Sequence, residues 1–274
     1  MRQFTPYLFL LLAASFLYSC KSAKLSDAEE KQRIGEYFEA AAIYRKVYTK
    51  TPPAKRDLRG YIAFRMAECN RLINNTPRAT SAYMNALRYK YPDSIVNLRL
   101  GQMYQKSGRY GEAVKYYNDY LLAEPGSVLA FNGVTGCEEA VKWKQSPTRY
   151  TVKRMDKFNS RRSEFSPMLY GEKYDQLYFA STRAPKGAGK DKEETNSAIT
   201  GQRNNDLFLV KQDENGAWLA PVELEDEVNT EFDEGTPSFS KDGNTMYYTY
   251  CAQDPEGPRK SGMPADVEMP APVN

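Results

Sequence analysis

The chain contains no histidine at all. That single absence rules out a Ser-His-Asp triad, a Cys-His pair and any His-ligated metal centre. It also removes the side chain most often used for proton transfer near neutral pH. Carboxylate pairs and Ser-Lys pairs remain chemically open, but no such constellation stands out. The expectation is a chain with no catalytic residues, no metal site, no cofactor and no enzymatic activity. Charge of one sign is lacking too: 38 basic against 35 acidic residues leave a net +3, without the basic excess of a nucleic-acid binder. Long apolar runs are scarce. The longest, Tyr7 to Leu17, is too short to span a bilayer as a helix. Tyrosine, by contrast, is abundant at 21 of 274 residues, and a chain of this length has room for about two domains.

The first residues read MRQFTPYLFLLLAASFLYSC. Arg2 supplies a short positive region, and the apolar stretch ends in Leu17-Tyr18-Ser19-Cys20. This resembles a bacterial lipobox. The resemblance implies a signal peptide over residues 1–19, cleavage before Cys20 and acylation of Cys20 as the lipid attachment site. A plain secretory signal with an incidental cysteine is the other reading. Several acyl chains on one residue anchor stably without a spanning helix. Lys21 stands where an acidic inner-membrane retention residue would be, and KSAK lacks the acidic run of surface-export signals. The expected location is the periplasmic face of the outer membrane. Three cysteines remain, Cys69, Cys137 and Cys251, so at least one is unpaired even where disulfides form. Cys69 and Cys137 are two 34-residue periods apart and are expected at equivalent, buried helix positions.

Three segments repeat: GEYFEAAAIYRKVYTKTP (35–52), NTPRATSAYMNALRYKYP (75–92) and GRYGEAVKYYNDYLLAEP (108–125). Each opens on a turn residue, places small residues where helices approach, adds a tyrosine beside them and stops at proline. Ala40, Ala82, Ala86 and Ala113 are the small residues; Tyr44, Tyr83 and Tyr117 are the groove fillers. In the middle copy Asn75 takes the glycine's place. A first helix begins near a Ser26-x-x-Glu29 capping box, and Val128 to Trp143 caps the stack. The pattern resembles the tetratricopeptide repeat, which implies an all-α solenoid over residues 20–143 whose concave face takes a protein partner. The candidate partner-binding residues are Arg65, Asn97 and Gln102 on first helices of the hairpins. Asp93-Ser94-Ile95 reads as a helix N-cap.

From residue 144 to 163 the chain is a basic linker merging into a first strand. The period then switches to two. YDQLYFASTR (174–183), NDLFLVKQ (205–212) and ENGAWLAPVEL (214–224) read as strands, the last after an Asn215-Gly216 turn. FSPMLYGEKYDQLYFAS and GTPSFSKDGNTMYYTY look like one unit repeated about 70 residues later. The Asp242-Gly243 turn supplies the positive φ a tight hairpin needs. The segment at 184–194 lacks the glycine and hydroxyl of a phosphate loop and reads as a solvated loop. This half resembles the WD40-like propeller repeat found beside TolB-type propellers, with Lys241 departing from the family's turn. The fold class expected is therefore α+β in separate domains: a helical solenoid, then an incomplete β-propeller over residues 164–251, about one blade and the start of a second. A Pro-rich tail (252–274) is expected to be disordered.

The order of these parts, with the junction NGVTGCEEAVKWKQSPTRYTV, resembles the PorE-like periplasmic lipoproteins of type IX secretion and gliding. The resemblance implies a lipid-anchored scaffold that binds proteins of an envelope secretion complex, with no nucleic-acid partner. In that family the propeller is completed and an OmpA-like domain binds peptidoglycan; here the chain is expected to be truncated and peptidoglycan binding is not carried over. The alternatives are a SusD-like nutrient-binding lipoprotein and a non-catalytic fragment of a propeller-bearing hydrolase. The helical half is expected to fold alone and the β half, with open sheet edges, to be marginal.

Overall fold

The computed structural model describes residues 23–184, 196–225 and 227–251. The segment expected to be a signal peptide, Cys20, most of the 184–194 loop and the Pro-rich tail lie outside the described residues. Two compact units divide the rest. One holds residues 23–33 and 39–135; the other holds residues 34–38 and 136–251. No helix among the described residues is long and apolar enough to cross a membrane.

Seven helices fill the first half: α1 (Leu25–Arg33), α2 (Tyr37–Lys50), α3 (Arg56–Leu72), α4 (Thr76–Arg88), α5 (Ile95–Lys106), α6 (Tyr110–Ala123) and α7 (Val128–Gln145). They pack as successive hairpins, a tetratricopeptide-like arrangement. Each second helix is preceded by one residue in left-handed conformation: Gly35 (φ 84°), Asn74 (φ 64°) and Gly108 (φ 71°). The middle left-handed residue is thus Asn74, not Asn75. Asn75 has φ −88° and instead caps α4, accepting from the Arg78 N–H. Asparagine tolerates the left-handed region because its short amide can bond locally.

Counting from that residue makes the three hairpins identical. Five positions on stand Ala40, Ala79 and Ala113, all fully buried; nine positions on stand Tyr44, Tyr83 and Tyr117, buried likewise. The alanines allow close helix approach and the rings fill the groove. Tyr117 shows how tightly. A Cβ on Gly101 of α5 would lie 2.6 Å from its ring, and one on Gly133 of α7 would lie 2.5 Å from it. The phenol heads are bonded too: Tyr44 donates to Gln32 Oε1 at 2.9 Å and Tyr117 to Gln105 Oε1 at 2.6 Å.

One local expectation changes. The Ser26-x-x-Glu29 box does not form, because α1 begins at Leu25 and Glu29 accepts from the Tyr61 hydroxyl instead. Asp93 does cap α5, accepting the Ile95 N–H at 2.9 Å. Cys69 and Cys137 are free and buried on α3 and α7, both first-type helices, and burial pushes the Cys69 thiol up to about 12.

The second half holds two antiparallel sheets and no closed propeller among the described residues. β1 (Glu164–Tyr170), β2 (Gln176–Ser181), β3 (Asp206–Lys211) and β4 (Val222–Glu223) form a meander in chain order; β5 (Asp233–Phe239) and β6 (Met246–Cys251) form a hairpin. The expected 214–224 strand shrinks to the two residues of β4. Pro221 removes a ladder donor beside it. The hairpins repeat one another 70 residues apart: Ser166-Pro167 and Thr236-Pro237 each carry a positive φ before proline, inside a bulge. Phe158, Phe179, Phe208 and Val210 form the core, with Trp218 edge-on to Phe158. Phe158 belongs to the expected basic linker, so that segment is partly core. Tyr170, Tyr178 and Phe239 join β1, β2 and β5 as a three-ring cluster, and Tyr170 donates to the Gly243 carbonyl at 2.8 Å.

Candidate functional site

Two places hold unusual side-chain chemistry, one in each unit. In the β unit a cavity of about 270 Å³ is lined mainly by core rings and apolar chains, Phe158, Phe165, Leu177 and Phe179 among them. Its carboxylate, Glu164, is engaged by Ser160 at 2.5 Å and Arg183 at 3.0 Å. Elsewhere in the unit Glu234 is 1% exposed; its Oε1 accepts from Thr230 and its Oε2 has no partner. Burial, then the charges of Asp206 and Asp233, raise its pKa. Among the described residues no group of three or more His, Cys, Asp or Glu is placed to hold a metal ion.

The helical unit presents the richer face. On α3 the spacing of Tyr61, Arg65 and Glu68, four then three residues, puts all three on one side of the helix. Arg99 and Gln102 make the same side of α5, each 34 residues after its α3 counterpart. Glu68 is the hub. Its Oε2 accepts from Arg71 Nη2 at 2.6 Å, its Oε1 accepts from Arg71 Nε at 3.3 Å and from the Tyr83 hydroxyl, and Arg99 Nε stands 3.3 Å away. Burial opposes the Glu68 charge, but Arg71, Tyr83 and Arg99 outweigh it, and its pKa is lowered. Tyr83 moves the other way: burial and the Glu68 charge push its phenol up.

Arg65 is half-buried beside the phenols of Tyr44 and Tyr61, with Tyr44 as its hydrogen-bond partner. Burial pushes the Tyr44 phenol up to about 12, against the pull of Arg65. Of the residues expected from sequence, Arg65 and Gln102 share this face, and Gln102 accepts from Arg99 Nη1 at 3.2 Å. Asn97 does not: two positions before Arg99, it sits about 200° around α5. Tyr61, Glu68, Arg71 and Arg99 were absent from the expected set. The 34-residue offset from Arg65 to Arg99, one repeat period, is the sequence signal that finds Arg99; Glu68 looks like any solvated helix acid until the fold surrounds it. The arrangement offers guanidiniums and phenols on a fixed surface, with no nucleophile paired to a base.

No protein-family model and no curated protein matches the chain. Solved structures are similar over the helical half. The MamA protein aligns with 16% identity over 47% of this chain and 77% of that one, at a TM-score of 0.37. The C-terminal TPR-containing domain of an FK506-binding protein from Plasmodium falciparum aligns with 17% identity over 46% of this chain and 92% of that one, TM-score 0.39. The Sgt2 TPR domain from Aspergillus fumigatus aligns with 16% identity over 52% and 93%, TM-score 0.38. The assignment of the helical half rests on its own repeated geometry.

Proposed function

We propose that this chain is a non-enzymatic docking scaffold, held at the periplasmic face of the outer membrane through acylated Cys20 and serving an envelope assembly of the type IX secretion and gliding class. The observation that carries the docking reading is the face of α3 and α5: fixed, half-buried and polar, on a stack of hairpins whose cores are otherwise closed by alanine and tyrosine. Stacked repeats of this kind expose an extended surface to a partner. The lipobox supports the anchor, and the four-strand meander followed by a hairpin supports a partial propeller. The PorE-like order of parts supports the assembly.

Two measurements test it. The chain is purified from detergent-solubilised envelope and its companions are identified; secretion components are expected, and recovery of porins alone refutes the assembly. Labelling with a radioactive fatty acid is expected to mark the wild type and not a Cys20→Ala variant. An unlabelled wild type refutes the anchor.

A further inference from the structure

The cavity of the β unit joins an apolar interior to a basic rim. Every residue that lines it belongs to one compact unit, so the inference stands apart from the docking reading. Phe158, Leu177 and Phe179 give it rings and an aliphatic chain. The β1 bulge between Phe165 and Met168 interrupts the ladder there, and Pro167, in the lining, has no N–H to offer. Met155 and Phe165, also in the lining, are 49% and 38% exposed, so apolar surface stays wet in the free protein. Glu164, the acid of the lining, is committed to Ser160, Ser181 and Arg183. The interior therefore offers apolar contact and few free hydrogen-bonding groups. It suits a hydrocarbon chain and penalises a peptide backbone, whose polar groups would go unmet. Its volume of about 270 Å³ lies just under the usual range of ligand sites, which favours a small occupant.

Lys153 and Arg154 complete the rim. Arg154 already faces Asp156 at 2.7 Å. Lys153 is exposed and has no ion pair among the described residues; the same holds for Lys144, Lys157 and Arg161 in the run around it. From Lys142 to Arg162 eight basic residues stand against one acid. An anion at Lys153 would feel the field of the whole run as well as its own contact.

We propose that this cavity binds a single-chain anionic amphiphile, with its alkyl chain among Phe158, Phe165, Leu177 and Phe179 and its carboxylate or phosphate at Lys153. A free fatty acid and a lysophospholipid share that chemistry.

The test titrates the full chain, free of detergent, with ligands kept below their micelle concentrations. The chain has two tryptophans. In a Trp143→Phe background the remaining one, Trp218, reports on the site, because it sits edge-on to Phe158 with ring centres 5.4 Å apart. Decanoate is expected to change its fluorescence saturably. Each methylene added between hexanoate and decanoate is expected to tighten binding about fourfold, the equivalent of about 0.8 kcal/mol per buried CH₂. Decyltrimethylammonium, of the same chain length and opposite charge, is expected to bind at least about fivefold more weakly than decanoate, the worth of a part-exposed ion pair. Lys153→Glu is expected to reverse that order, and Lys46→Glu, an exposed residue of α2, to leave it alone. Leu177→Phe, which adds volume to the wall, is expected to weaken every ligand; if it fails to fold, the Lys153→Glu comparison still decides. Decanoyl lysophosphatidylglycerol, run beside decanoate, separates the two sources: the tighter ligand names a membrane lipid or a free acid. No saturable binding, an affinity indifferent to chain length, or an unchanged order of decanoate and decyltrimethylammonium in Lys153→Glu overturns the inference.

Discussion

Gly101→Ala should destabilise the helical unit even though alanine is the better helix former. The added Cβ would lie 2.6 Å from Tyr117 Cδ1, 2.7 Å from Cε1 and 2.9 Å from Cγ. Carbon atoms pack best at about 3.5–4.0 Å, so the methyl intrudes by about an ångström. The ring is seated against a second glycine as well, since a Cβ on Gly133 would lie 2.5 Å from it. Overpacking of this kind costs about 1–3 kcal/mol, and a ring that needs two glycines beside it belongs at the upper end. Helix propensity returns about 1 kcal/mol. The net loss is about 2 kcal/mol, or about 8 °C in melting temperature for a unit of this size. Circular dichroism at 222 nm reads the transition, and urea titration in the cold gives the free energy. The decisive comparison is in a Tyr117→Ala background, where no ring remains and Gly101→Ala should turn stabilising by about 1 kcal/mol. A Gly101→Ala protein that melts above wild type would refute the account of how these helices are spaced.

Three further outcomes follow from the charges and edges. Glu68 has a lowered folded pKa, so its contribution is complete above the unfolded carboxyl pKa and lost as pH falls through the folded value. Glu68→Gln should cost about 2 kcal/mol at pH 7, and an acid titration of stability should show the two proteins converge below about pH 4. Glu234 has a raised folded pKa, so stability falls as pH climbs from the unfolded value through the folded one; in Glu234→Gln that fall, measured by thermal melts of the β transition, should shrink. Limited proteolysis should leave a helical fragment ending near residue 140, because β6 exposes Tyr247 and Tyr250 along an edge strand. A resistant fragment that lacks the helices would refute that order.

The hairpins were legible because their signals are local. A turn residue, a small residue, an aromatic and a stopping proline each act within one turn of chain, and α2, α4 and α6 end at Lys50, Arg88 and Ala123 just ahead of Pro52, Pro92 and Pro125. The failures share one cause, competition from elsewhere in the fold. Glu29 has the spacing of a capping box, yet the Tyr61 hydroxyl on α3 takes it. Asn74 and Asn75 are chemically identical, yet Asn74, nine residues before the fully buried Tyr83, turns left-handed and Asn75 caps α4. Phe158 hides in a basic run and is still drawn into the core by Phe179, Phe208 and Trp218. The polar face was half legible: Arg65 and Gln102 stood out as polar positions on hairpin-opening helices, whereas Glu68 acquires its role from Arg71, Tyr83 and Arg99, which no short window contains.

The left-handed residue before each second helix works as an origin from which the rest of its hairpin is measured. Those origins are 39 and then 34 residues apart, and the extra five residues lie in α3, with 17 residues against 12 in α5. Length has therefore varied ahead of the origin, and the nine-residue interval behind it has stayed fixed. One residue inserted between Gly108 and Tyr117 would swing the ring about 100° off its pocket, whereas one inserted between Arg88 and Ile95 lies in a connection outside both helices of that hairpin. Loops and tags belong in such connections, never between an origin and its tyrosine.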